Sequence, residues 1–146
     1  MNRNKIIVLF VLLIAVVGFT MASVSAATTT IKVGKYKDVG FGDRISTFYQ
    51  SQDMQFLKGV YAVIFYHSKS LGDDFRPHTY VLSKMKVYYK NKKGKITTRT
   101  STAKNLSGLS ILSTKKVNGY TPYKMDVTYR KMTKSEKKKI MNSLVY

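Results

Sequence analysis

The sequence predicts a mainly β fold, an antiparallel sheet or sandwich, completed by one short C-terminal helix. Three observations predict it. Short runs rich in Val, Ile, Thr, Tyr and Phe are separated by Gly, Asn, Asp and Pro, the punctuation expected between strands. Residues 80–101, YVLSKMKVYYKNKKGKITTRTS, alternate with a period of two around an Asn- and Gly-bearing turn. Thr133-Lys134-Ser135-Glu136 has capping-box spacing, in which the Thr hydroxyl and the Glu carboxylate satisfy free amide donors at a helix start.

Taken in order, the chain opens on Arg3 and Lys5, an unbroken apolar run of fourteen residues from Ile6 to Phe19, and the small residues Val24-Ser25-Ala26. That is the layout of a secretory signal, so residues 1–26 are expected to be a signal peptide and 27–146 a single β-rich domain. If the segment is not cleaved, it anchors the chain in a membrane. TTTIKV, residues 28–33, reads as a first edge strand. Between Asp43 and Leu57 the spacing of Ile45, Phe48 and Tyr49 admits a helix, which gives an α+β alternative with an additional helix near 43–57. VYAVIFYHS, residues 60–68, is a continuous apolar and aromatic run, the pattern of a central strand buried on both faces.

The 80–101 segment carries the most information. Its alternation sets Val81, Ser83, Met85, Val87 and Tyr89 on one side and Leu82, Lys84, Lys86, Tyr88 and Lys90 on the other. On the return strand Ile96 is assigned to the buried side, which leaves Lys84, Lys86, Tyr88, Lys90, Lys95 and Arg99 as one solvent-facing basic ribbon. Leu109 to Ser113 is another short strand. Tyr123, Met125, Val127 and Tyr129 alternate against Lys124, Asp126, Thr128 and Arg130 in a further one, with Asn118-Gly119 and Thr121-Pro122 as turns before it. Behind the capping box, Ile140, Met141, Leu144 and Val145 share one side of a helix over about 134–145. Four lysines at its positively polarised start mean that tertiary contacts must hold it.

Composition bounds the function. Removal of residues 1–26 takes away two bases and no acid, leaving 24 Lys plus Arg against 7 Asp plus Glu, a net charge of +17. Such an excess attracts extracellular polyanions, including acidic wall polymers and lipid headgroups. There is no cysteine, so an exported chain must hold its fold by packing and hydrogen bonds.

Residues 67–78, HSKSLGDDFRPH, hold both histidines, His67 and His78, around Asp73 and Asp74. A metal site wants three or four ligands at defined spacing, whereas Gly72-Asp73-Asp74 is ordinary turn composition. The loop reading is favoured, and no metal or cofactor is expected. No G-x-S-x-G elbow marks Ser68 or Ser70 as a nucleophile, and no phosphate-cradling Gly-rich motif appears. Asn105-Leu106-Ser107 matches the N-glycosylation pattern.

The stretches VYYKNKKGKITTRT and KKVNGYTPYKMDVTYRK, free of cysteine and behind an export signal, resemble small exported or adhesin-like β-rich proteins of methanogen cell surfaces over residues 80–131. The resemblance implies an Ig-like or related sandwich displayed outside the cell. It carries over no site, because no motif with defined functional residues is matched.

The expected function is therefore a secreted or surface-associated, non-enzymatic binding or structural module with affinity for anionic polymers or lipid headgroups and no specific nucleic-acid target. The alternative is an exported hydrolase or metal-binding protein centred on His67, Asp73, Asp74 and His78.

Overall fold

A computed structural model describes residues 25–54, 57–66 and 79–144. Among these described residues eight strands form two antiparallel sheets: β1 (Ala26–Lys32), β2 (Tyr36–Gly40), β3 (Asp43–Met54), β4 (Leu57–Tyr66), β5 (Tyr80–Asn91), β6 (Ile96–Thr102), β7 (Ile111–Thr114) and β8 (Tyr120–Lys131). The first sheet has the order β1-β8-β5-β6 and the second β2-β3-β4-β7. A helix, α1 (Lys134–Leu144), follows β8. The mainly β reading with a C-terminal helix is thus the fold. No helix among the described residues is long and apolar enough to cross a membrane.

The core lies between the sheets. Ile31, Met85, Val87, Tyr89, Met125 and Val127 enter it from the first sheet, and Ile45, Val60, Ala62, Ile64 and Leu112 from the second. Each is an alternate residue on its strand, so the period-two pattern converts directly into one shared apolar layer. Fully burying a side chain of this size contributes roughly 1.5–3 kcal/mol. Tyr89 also crosses the layer, where its hydroxyl lies 2.7 Å from the Thr114 hydroxyl and donates to the Lys115 carbonyl at 3.1 Å. A buried phenol needs such a partner.

The additional helix near 43–57 is replaced by the twelve-residue strand β3. Ile45 and Thr47 are buried, and Phe48 stacks on Tyr61 of β4 with ring centroids 5.0 Å apart. Ile45 and Phe48 share a helical stripe only by coincidence; in the strand they face opposite sides and each finds its own partner. β2 was not foreseen from the sequence. It pairs with β3 from Tyr36↔Ser46 to Gly40↔Asp43 after a tight turn. Thr47 secures that turn: its buried hydroxyl accepts from Gly34 N at 3.1 Å and lies 3.0 and 2.8 Å from the Lys32 and Lys35 carbonyls. One hydroxyl thus ties the crossover between the sheets.

β4 is central in its sheet, as expected, between β3 and β7. Burial on both faces holds for Val60, Tyr61 and Ala62 but fades at Phe65, which is 38% exposed. At Gly59 the backbone has φ 119°, and a Cβ there would run into the Thr114 carbonyl of β7. Only glycine lets the two strands approach so closely.

The capping box is built as the sequence predicts. Glu136 N donates to Thr133 Oγ1 at 3.1 Å, and Thr133 N donates to Glu136 Oε1 at 3.0 Å. Glu136 also receives Arg130, which supplies the tertiary tether that the lysine-rich helix requires.

Candidate functional site

Two breaks in strand alternation shape the outer face of the first sheet. The register shifts between Leu82 and Lys84, so Ser83 is an extra residue on β5. This corrects the expected phase: Leu82 joins the core, while Lys84, Lys86, Tyr88 and Lys90 point outward. The second break lies on β8, where Tyr88 faces Lys124 and Tyr89 faces the buried Pro122. Tyr123 is the additional residue. It leaves the series of Met125 and Val127 and turns its ring to Tyr88, with centroids 6.4 Å apart. Pro122 is the sequence signal for this, because proline inside a sheet belongs at edges or bulges.

Register then sets the neighbours on this face. Lys84 lies between Thr128 of β8 and Thr102 of β6, Lys86 between Asp126 and Thr100, and Tyr88 between Lys124 and Thr98. On the far side β1 contributes Thr28, Thr30 and Lys32 opposite Thr128, Asp126 and Lys124. The face is an array of lysines and threonines around a pair of tyrosines.

Two of the expected ribbon residues fall elsewhere. Val87 pairs with Arg99 and Lys90 with Ile96, so Arg99 takes the opposite side from the β5 lysines and Ile96 takes theirs, 52% exposed. Lys95, one residue before Ile96, has the same phase as Arg99. The turn decides this. Asn91 Oδ1 accepts from Lys93 N at 3.0 Å and Lys95 N at 2.8 Å, and Gly94 takes φ 82°. Hairpin register follows turn geometry, and one isoleucine on an edge strand does not override it.

The tyrosines hold the cations in place. The Lys86 and Lys124 ammonium groups stand 5.3 and 4.8 Å from the Tyr88 ring centroid, and those of Lys90 and Lys124 stand 4.8 and 5.8 Å from that of Tyr123. Asp126 sits among them. It accepts from the Thr30 hydroxyl at 2.6 Å and the Tyr88 hydroxyl at 2.8 Å. The Thr30 hydrogen bond, then that from Tyr88 and the charges of Lys124 and Lys86, hold its carboxyl below the usual range against the effect of partial burial. The same contact raises the Tyr88 phenol. Asp126 therefore stays ionised and orients the ring.

Two clefts adjoin this face. One, of about 540 Å³, is bounded by Lys90, Lys92, Tyr120, Thr121 and Tyr123. The other, of about 360 Å³, runs between β6 and β7 and is lined by Thr100, Thr102, Lys104, Asn105, Ser107 and Ser113. Asn105, the candidate glycosylation residue, is exposed there, and its carboxamide oxygen accepts from the Ser107 hydroxyl at 2.7 Å and Gly108 N at 3.0 Å.

His67, Asp73, Asp74 and His78 lie outside the described residues. Their described neighbours meet at one carboxylate that the sequence did not single out. Asp43 pairs with Tyr66 across β3 and β4, and its Oδ2 accepts from Thr79 N and Tyr80 N, each at 2.7 Å. Oδ1 is buried with no hydrogen-bond partner among the described residues, and burial pushes the carboxyl pKa up despite the two amide donors. Among the described residues no three His, Asp or Glu side chains are grouped to hold a metal ion. No family model, curated protein or solved structure matches the chain.

Proposed function

We propose that this protein is an exported, non-enzymatic binding module, secreted or surface-associated, that holds anionic polymers or headgroups against the outer face of its first sheet. The observation that supports it best is the set of Lys84, Lys86, Lys90 and Lys124 on that one face, with three of the four ammonium groups seated against Tyr88 and Tyr123. Charges held in place lose less freedom on binding than freely rotating lysines. Each contact with a polyanion releases counterions, so attraction is strong at low salt and falls steeply as salt rises.

Export is read from Arg3, Lys5 and the apolar run that follows them. Cleavage after Ala26 would remove the first residue of β1 and leave its pairing with β8 intact from Ala27↔Tyr129 to Lys32↔Lys124.

The test compares two triple variants. Changing Lys86, Lys90 and Lys124 to Ser is expected to lower both the affinity for an anionic polymer and the slope of that affinity with salt. The same change at Lys137, Lys138 and Lys139 removes equal charge from α1 and none from the strands of the face. Equal losses in the two variants would refute the site, and no salt-dependent binding by the unaltered protein would refute the function.

A further inference from the structure

We infer that the polymer held on this face is a carboxylated polysaccharide, a uronic-acid type chain, rather than a nucleic acid or a lipid surface; this rests on the polyanion-binding reading above. Three observations point to it.

The first is the state of the aromatic rings. Sequence-tolerant binding of single-stranded nucleic acid stacks bases on open aromatic faces. Here two ammonium groups already stand within 6 Å of each ring. A base laid on Tyr88 or Tyr123 displaces a cation and forfeits the attraction that positions it. The rings serve as seats for lysines, and the lysines are what a ligand meets.

The second is the type of cation. The face offers lysines, whose ammonium is a compact point charge for carboxylate and phosphate alike, and not the guanidinium, whose plane would also stack on a base. Of the arginines described on this sheet, Arg99 has the opposite strand phase, and Arg130 is bonded through both terminal nitrogens to Glu136.

The third is what surrounds the cations. Thr98, Thr100 and Thr102 on one flank present hydroxyls in register with the lysine row, while on the other Thr28 and Thr128 bond to each other at 2.9 Å and Thr30 donates to Asp126, so that flank offers mainly acceptor lone pairs. Hydroxyls both donate and accept, as a polyol chain requires. The cleft beyond Tyr123, bounded by Lys90, Lys92 and Thr121, continues the same chemistry past the end of the sheet. An extended acidic sugar chain can lie across this sheet face, its carboxylates on the ammonium groups and its hydroxyls on the threonines. A membrane surface would ask for an apolar rim to insert, whereas the flanks of this face are threonine with the single exposed isoleucine Ile96.

The test measures binding of the purified protein to polygalacturonate, to an oligo-dT of matched total charge, and to phosphatidylglycerol vesicles, all at one ionic strength. Tighter binding to polygalacturonate than to either competitor is expected. Replacing both seats, Tyr88→Leu with Tyr123→Leu, keeps every lysine and is expected to weaken polygalacturonate binding about threefold to tenfold. Tyr88→Phe with Tyr123→Phe keeps the rings and is expected to retain most of the binding, which separates loss of the seats from loss of the fold. Oligo-dT or vesicles binding as tightly as polygalacturonate would overturn the inference and leave the polyanion reading standing. Equal affinity of the Leu and Phe pairs would also overturn it. Binding to none of the three would overturn both.

Discussion

Arg130 and Glu136 meet fork to fork, Nη1 on Oε1 at 2.7 Å and Nη2 on Oε2 at 2.8 Å, and so fix the first turn of α1 to the end of β8. The guanidinium, with the Thr133 amide and hydroxyl, holds the Glu136 carboxyl down at about 2. The folded-state value is lower than the unfolded one, so the stabilisation is fully present above about pH 4.5 and is lost as pH falls through about 2. Solvent reaches the pair, which limits its contribution to about 1 kcal/mol. Glu136→Gln is expected to lower unfolding stability by that amount at neutral pH, with the difference from the unaltered protein closing near pH 2 in urea titrations.

Asp43 has the opposite sign. Burial raises its carboxyl above the ordinary 3.8, so the folded state binds the proton more tightly than the unfolded chain. Its contribution falls as pH rises from about 3.8 through the raised value and is flat beyond it. Asp43→Asn keeps an oxygen for the Thr79 and Tyr80 amides and removes the titration. The stability of the Asp43→Asn variant relative to the unaltered protein is expected to increase with pH across that window and then level off. Asp43→Ala strands both amides and is expected to cost about 1–3 kcal/mol below about pH 3.8, and less as pH rises through the raised value.

Gly59→Ala places a side chain at φ 119° against the Thr114 carbonyl. Backbone of this kind costs a side chain about 1–3 kcal/mol before any clash is counted. Thermal unfolding is expected to show a clear loss, whereas Gly94→Ala, with open space around its Cβ, is expected to show the backbone cost alone.

Thr47→Val preserves shape and removes the hydroxyl that serves Gly34 N and the Lys32 and Lys35 carbonyls. Leaving buried groups without partners costs about 1–3 kcal/mol, and amide exchange at Gly34 is expected to accelerate.

Lys95→Ser with Arg99→Ser checks the corrected face. Both residues have the phase opposite to Lys84, Lys86 and Lys90, so this pair is expected to weaken polymer binding less than Lys86→Ser with Lys124→Ser, although the charge removed is the same.

The sequence made most of the strands legible because alternation translates directly into inside and outside. Met85, Val87, Tyr89, Met125 and Val127 went where their spacing put them. The capping box was equally plain, since its two partners are three residues apart. What alternation could not show was where it skips. The extra residues Ser83 and Tyr123 reverse the phase of their neighbours through pairing with another strand, which a single strand's pattern does not contain. β3 was ambiguous for a related reason: both of its faces are furnished with apolar residues, so its spacing fits a helical stripe as well as a strand. The basic face was therefore half visible. Lys84, Lys86, Tyr88 and Lys90 were read correctly along β5, whereas Tyr123, Lys124 and Thr30 join them only through the sheet, and Arg99 and Lys95 leave it because of the turn.

The central position of β8 dictates an order of assembly. β8 lies between β1 and β5 and pairs with both, from Ala26↔Arg130 on one side to Asn91↔Tyr120 on the other. The β5–β6 hairpin can close from local sequence, but β1 has no partner in its sheet until the strand nearly a hundred residues later arrives. A chain threaded outward amino end first would thus cross with β1 still unpaired, and the lysine–tyrosine face would come into being at the last docking step. Non-local closure of this kind belongs with slow two-state folders, on the order of milliseconds to seconds. Refolding followed through the burial of Tyr89 is expected to proceed in that range, with substitutions at Met125 and Val127 slowing it more than substitutions in β2.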